Sequence, residues 1–145
     1  MRIVVLAGGG GGAKFLWGLA QELPEESLCA VVNSGDDIEM HGLRISPDLD
    51  IVTYTLAGLV DTEKGWGFAG DSFECMKVLE RYGQPAWFNL GDRDLGTHLF
   101  RTQAVEFLDH WRGKGHAGRA IGAQTEGANH SRHRCGDGGH LILQR

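Results

Sequence analysis

The chain has 145 residues, 41% of them hydrophobic and 23% charged, which is one soluble domain's worth of ordinary globular composition; no apolar run reaches membrane-spanning length. Its net charge of −5 is unevenly spread: residues 1–109 hold 8 basic and 17 acidic side chains, whereas residues 110–145 hold 6 and 2. An acidic body lacks the basic face a nucleic-acid surface needs and suits a metal-dependent site instead. The three cysteines (Cys29, Cys75, Cys135) are odd in number and far apart, so they predict free thiols and no disulfide framework. The N-terminus lacks the layout of a secretory signal, and the expectation is a cytoplasmic protein.

The first element is an apolar run, Ile3–Ala7, that ends in five consecutive glycines, Gly8, Gly9, Gly10, Gly11 and Gly12. The branched residues suit a strand buried on both faces, and helix-forming sequence resumes over Ala13–Leu23. Glycine between strand and helix lets backbone N–H groups approach an anion closely, so this junction predicts a phosphate cradle. Gly8-x-Gly10-x-x-Ala13 also fits the dinucleotide fingerprint, although a run of glycines satisfies many such patterns. A P-loop fits worse, because Lys14 is followed by Phe15 and not by Ser or Thr.

Leu28–Val32 reads as a second buried strand that completes a βαβ unit. It ends at Asn33, where a nicotinamide-binding domain would place an acidic residue for the ribose hydroxyls. A NAD(P)-dependent oxidoreductase is therefore the second choice.

A predicted loop follows with Asp36, Asp37 and Glu39 close together, then Asp48 and Asp50 flank the start of a helix through Ile51–Val60. Ser46 or Asp48 is a natural cap for that helix, and Asp36 and Asp37 suit a solvated turn. Five acids are nonetheless too many for capping alone. Carboxylates beside phosphates repel them unless Mg²⁺ bridges the two. Gly65-Trp66-Gly67 predicts an aromatic turn, and Asp71–Tyr82 a core helix. A second loop-to-helix junction carries Asn89, Asp92 and Arg93 ahead of a helical run over Leu95–Leu108. Arg93 suits a bidentate phosphate contact and Asp92 a hydroxyl or metal, the alternative being a capping Asp with a surface ion pair. His98 and Arg101, three apart, could share one face of that helix.

From His110 the composition changes to 8 glycines and 5 histidines in 36 residues. Apolar periodicity is lost, so residues 110–145 predict an irregular, disordered tail, a composition that also fits a shifted reading frame. His130, His133 and Cys135 lack a second spaced ligand pair and predict no zinc site.

Taken together, GGGGGAKFL, VVNSGDD, HGLRISPDLD, YTLAG, GWG and LGDRDLGTHLFRTQ resemble, over about residues 1–104, the 2-phospho-L-lactate transferase family of coenzyme F-420 biosynthesis. The resemblance implies an α/β, Rossmann-like three-layer fold with a mostly parallel sheet, incomplete here at its C-terminal side, with residues 1–109 forming the N-terminal part of the transferase domain. It implies transfer of a 2-phospho-L-lactyl group, or a phosphoenolpyruvyl group as in the actinobacterial branch, from a guanosine diphosphate ester to the ribityl hydroxyl of Fo, 7,8-didemethyl-8-hydroxy-5-deazariboflavin. GMP departs and Mg²⁺ assists. Carried over by position, Gly8–Gly12 and Lys14 meet the donor; Asp37 and Asp50 hold Mg²⁺ or the acceptor hydroxyl, either serving as general base; Asp48, Asn89 and Asp92 line the Fo site. Family members run beyond residue 145 and are expected to form homodimers; small molecules, with neither nucleic acid nor membrane, are the expected partners.

Overall fold

A computed structural model describes residues 2–24, 27–113 and 142–144, with side chains described as far as residue 107. Strand β1 (Ile3–Ala7) leads into helix α1 (Gly9–Glu22), and β2 (Leu28–Asn33) returns parallel to β1 with Val5 opposite Ala30 and Ala7 opposite Val32. This is the expected βαβ unit. A hairpin of β3 (Ile38–Met40) and β4 (Leu43–Ile45) follows, then helices α2 (Pro47–Leu56), α3 (Glu74–Arg81) and α4 (Asp92–Gly113), and last β5 (Ile142–Gln144). β5 pairs parallel with β2, so the main sheet runs β1-β2-β5 and is wholly parallel. Among the described residues no helix is long and apolar enough to cross a membrane.

Two cores hold these elements together. The first packs Val5 and Ala7 of β1 and Val32 of β2 against Ala13 and Leu16 of α1 and Ile51 and Val52 of α2. The second gathers Met40 and Ile45 of the hairpin, Met76 of α3 and Leu90, with Leu95 of α4 packed against it. Helix α2 packs on the first core through Leu49, Ile51, Val52 and Leu56, directly after the hairpin that supplies Met40 and Ile45 to the second.

Several expectations are corrected. β1 is buried on one face only: Val4 and Leu6 are 61% and 79% exposed, because α1 and α2 both pack on the side of Val5 and Ala7. The glycine run is no separate turn. Gly8 is extended, with φ −156° and ψ 147°, Gly9 turns the chain with a left-handed φ of 60°, and α1 is counted from Gly9 onward. The close approach explains the residue choice, since a Cβ on Gly12 would sit 3.2 Å from Ala7 Cα and Cβ. The acidic segment after β2 is partly a hairpin, whose turn His41-Gly42 has φ of 54° and 71°, matching a two-residue connection with both residues left-handed. α2 begins at Pro47 with Ser46, one of the two expected caps, at its N-cap position, and it ends at Leu56, short of the expected Val60. α4 runs across the expected boundary at residue 109 to Gly113, and the apolar Ile142–Gln144 forms a strand inside the stretch expected to be irregular. The rest of that stretch, with His130, His133 and Cys135, lies outside the described residues.

Candidate active site

The site is built from two clusters that meet on α2. At the C-terminal edge of the sheet, Asp48 sits in the first turn of α2, yet its carboxylate does not cap its own helix. Asp48 Oδ1 accepts a 2.7 Å hydrogen bond from the Gly9 amide, and Oδ2 accepts one of 2.7 Å from Asn33 Nδ2 at the end of β2. Asn33 Nδ2 also reaches Asp36 Oδ2 at 3.2 Å, and Asn33 Oδ1 accepts the Gly35 amide at 3.0 Å. One carboxylate thus ties the starts of α1 and α2 to the tip of β2. A Cβ on Gly8 would lie 3.0 Å from Asp48 Oδ2 and 3.3 Å from Asn33 Cβ, so the Asp48 carboxylate would have to give way. The Gly65-Trp66-Gly67 turn closes the other side, since a Cβ on Gly10 would stand 3.7 Å from the Gly65 carbonyl.

The chemistry of this junction follows from its charges. The first amides of a helix have no intrahelical partner and attract anions. Here the protein's own Asp48 takes the Gly9 amide, leaving the following amides of the turn to face outward. A phosphate arriving there meets the Asp48 charge beside the helix terminus. Lys14, exposed on α1 just after the glycines, is the cation nearest in sequence.

The second cluster lies between α2 and α4. Asp50 and Tyr54, four apart on α2, face Asp94, His98 and Arg101, which recur at the helical spacing on α4. Arg101 grips Asp50 with both terminal nitrogens: Nη2 pairs with Oδ1, and Nη1 lies 3.2 Å from Oδ2. Tyr54 donates to Asp94 Oδ1 at 2.7 Å. His98, 1% exposed, is bracketed by Asp50 Oδ2 at 3.6 Å from Nδ1 and Asp94 Oδ1 at 3.5 Å from Nε2.

Burial governs the ionisation of every member. It pushes Asp50 up to about 6, against the Arg101 guanidinium, with the Asp94 and Asp37 charges adding to the rise. Burial likewise raises Asp94 and Tyr54, and it pushes His98 down to about 4 with help from Arg101. At neutral pH the imidazole is therefore neutral. A pocket opens beside these groups, with Asp50, Asp94 and His98 on its floor and the rings of Tyr54, Trp66 and Phe88 in its walls. Its lining thus combines three aromatic rings with two acids and an imidazole.

The remaining predicted residues fall elsewhere. Asp37 is exposed in the β2–β3 loop, where its amide bonds the Ser34 carbonyl at 3.3 Å, and its charge is felt at Asp50. Asn89 is exposed ahead of α4. Asp92 starts α3, accepting the Glu74 and Cys75 amides at 3.1 and 2.9 Å and the Ser72 hydroxyl at 2.7 Å; these bonds, that of Ser72 foremost, hold its carboxyl below the usual range. Asp71 reciprocates by accepting the Arg93 amide at 3.1 Å at the start of α4, while the Arg93 side chain reaches the Ala69 carbonyl at 3.4 Å. Asp94, Tyr54 and Asp71 escaped sequence reasoning. The signal for Asp94 was its spacing, four residues before His98 and seven before Arg101 on one helical face.

Residues 3–126 match a protein family described as 2-phospho-L-lactate transferase CofD. Among curated proteins the chain is 56% identical over 105 residues to a phosphoenolpyruvate transferase of Nocardia farcinica, covering 72% of this chain and 32% of that protein. It is 53% identical over 106 residues to one of Streptomyces coelicolor, covering 72% and 33%. A phosphoenolpyruvate transferase of Mycobacterium tuberculosis is 50% identical over 120 residues, covering 73% and 36%. The chain thus spans about a third of the length of the curated relatives it matches.

Proposed function

This chain belongs to the 2-phospho-L-lactate transferase CofD family, and from that premise we propose that it carries the donor- and acceptor-facing part of a transferase of coenzyme F-420 biosynthesis. The substrates are a guanosine diphosphate ester of phosphoenolpyruvate or 2-phospho-L-lactate and the deazaflavin Fo. The observation that carries the reading is the placement of Asp48 and Asp50 on one turn of α2, the first at the glycine-rich start of α1 and the second on the floor of an aromatic-walled pocket. A diphosphate and a planar acceptor can then be served by side chains two residues apart.

In this reading the Gly10–Gly12 amides and Lys14 bind the donor's phosphates, and Arg93 adds a cation at the α4 junction. Tyr54, Trp66 and Phe88 line the site for the acceptor's ring system, while Asp48 stays with the Gly9 amide and Asp92 with the start of α3, outside that lining. The terminal ribityl oxygen attacks the distal phosphorus; an O–P bond forms, the bond from that phosphorus to the bridging oxygen breaks, and GMP leaves. The hydroxyl proton passes to Asp50, whose raised affinity for protons suits a base near neutral pH. Positioning and charge neutralisation supply most of the acceleration in such a step.

Asp37 and Asp50 would hold Mg²⁺. Both offer carboxylate oxygens, the ligand type the ion prefers, and the Asp37 charge is felt at Asp50. When bound, Mg²⁺ neutralises charge on the diphosphate. Titrating the purified chain with GDP, Fo and NADH tests the reading. Saturable binding of GDP and Fo, without NADH, is expected; NADH binding without GDP binding overturns it in favour of an oxidoreductase.

A further inference from the structure

Three ligand-bearing side chains, Asp50 of α2 and Asp94 and His98 of α4, bring one donor atom each within 4.8 Å of one another, and all three are buried. Buried acids facing each other are costly without a counter-charge. Arg101 supplies one positive charge on the side of Asp50, while Asp94 is left with a hydroxyl donor.

A second observation points the same way. His98 Nε2 is buried and finds no hydrogen-bond partner among the described residues, standing 3.5 Å from Asp94 Oδ1. A buried ring nitrogen without a partner is uncommon, and it signals a missing ligand. The other ring nitrogen, Nδ1, has Arg101 Nη1 at 3.4 Å and Asp50 Oδ2 at 3.6 Å, so the guanidinium already faces that side and the open nitrogen is Nε2. The carboxylates are themselves held: Asp94 by the Tyr54 hydroxyl at 2.7 Å, Asp50 by the Arg101 fork. Such outer contacts orient ligands before an ion arrives.

We infer that Asp50, Asp94 and His98 form a site for a borderline divalent cation such as Mn²⁺, Co²⁺ or Zn²⁺. An imidazole with two carboxylates favours these ions, whereas Mg²⁺ prefers an all-oxygen shell and retains its waters. All three residues line the pocket, together with Trp66 and Phe88. The site shares Asp50 with the Mg²⁺ pair Asp37 and Asp50, but it does not rest on the transferase reading.

The test is titration of the full chain with MnCl₂, CoCl₂ and MgCl₂ alone, followed by calorimetry and, for Co²⁺, by its visible bands. The expected result is one equivalent of Mn²⁺ or Co²⁺ bound at least about tenfold more tightly than Mg²⁺. His98→Gln and the isosteric Asp94→Asn, each checked for folding by circular dichroism, weaken that equivalent by at least about tenfold, the loss typical of a disturbed ligand shell. Asp37→Asn leaves it in place. Absence of binding, or binding that neither His98→Gln nor Asp94→Asn alters, overturns the site. Loss in Asp37→Asn with retention in His98→Gln also overturns it, while leaving the proposed function standing.

Discussion

Asp48 and Asp50 are the same residue type on one helical turn, yet they work in opposite ways. Asp48 is half-buried at the sheet edge and spends both oxygens on neutral donors, a glycine amide and an asparagine side chain. Asp50 is buried against α4, and its partner is a guanidinium. The first organises backbone; the second concentrates charge in a place that resists it. The difference teaches that position on α2, and not residue type, decides which carboxylate is held above its ordinary proton affinity.

The largest effect should come from removing the charge that makes the Asp50 environment tolerable. Arg101→Met leaves Asp50 and Asp94 buried without their cation and is expected to cost about 3–5 kcal/mol of unfolding free energy. Urea unfolding by circular dichroism reads this directly. A loss below that of an Asp48 variant would erase the contrast between the two carboxylates.

Next in size are two opposing pH dependences. Asp50, raised by burial to about 6, is protonated in the folded state between roughly pH 4 and 6 while the unfolded side chain is ionised. Its contribution to stability is therefore lost as pH rises through about 6. His98, lowered by burial to about 4, is neutral in the folded state while the unfolded imidazole is protonated up to about 6.5. Its contribution is present above about 6.5 and lost as pH falls through about 4. The two slopes oppose each other in the parent chain, and Asp94, also raised by burial, adds to that of Asp50. His98→Gln should uncover a fall in stability of roughly 2–3 kcal/mol from pH 4 to 6, and Asp50→Asn a comparable rise. Thermal melts across that range check both signs; equal slopes in the two variants would refute the assignment.

Asp48→Ala is expected to cost about 1–2 kcal/mol, the loss of one capping carboxylate. The smallest effect is a control on the surface: Lys77→Ala breaks an exposed pair with Glu74 and should cost no more than about 0.5 kcal/mol.

The opening strand, the glycine run and β2 were legible because apolar runs and glycines speak locally. Asp48 was legible as a helix-start acid, but its true partner, the Gly9 amide 39 residues away, is a tertiary fact that no local rule contains. The same holds for Asp92, which suits the start of α4 by sequence and caps α3 in space. Asp94 was hidden because a charged residue in a first turn looks like a dipole partner facing solvent. Only the packing of α4 on α2 turns it inward. Exposure of Val4 and Leu6 could not be read either, because β-branched composition reports strand propensity and not which face a helix covers.

The central claim is that a diphosphate rests on the unpartnered amides at the start of α1. Amide hydrogen exchange at Gly10, Gly11 and Gly12, measured with and without saturating GDP and Mg²⁺, tests it most directly. The account predicts slowed exchange at these glycines with GDP and none with NADH; unchanged exchange at saturating GDP, or protection by NADH instead, would contradict it.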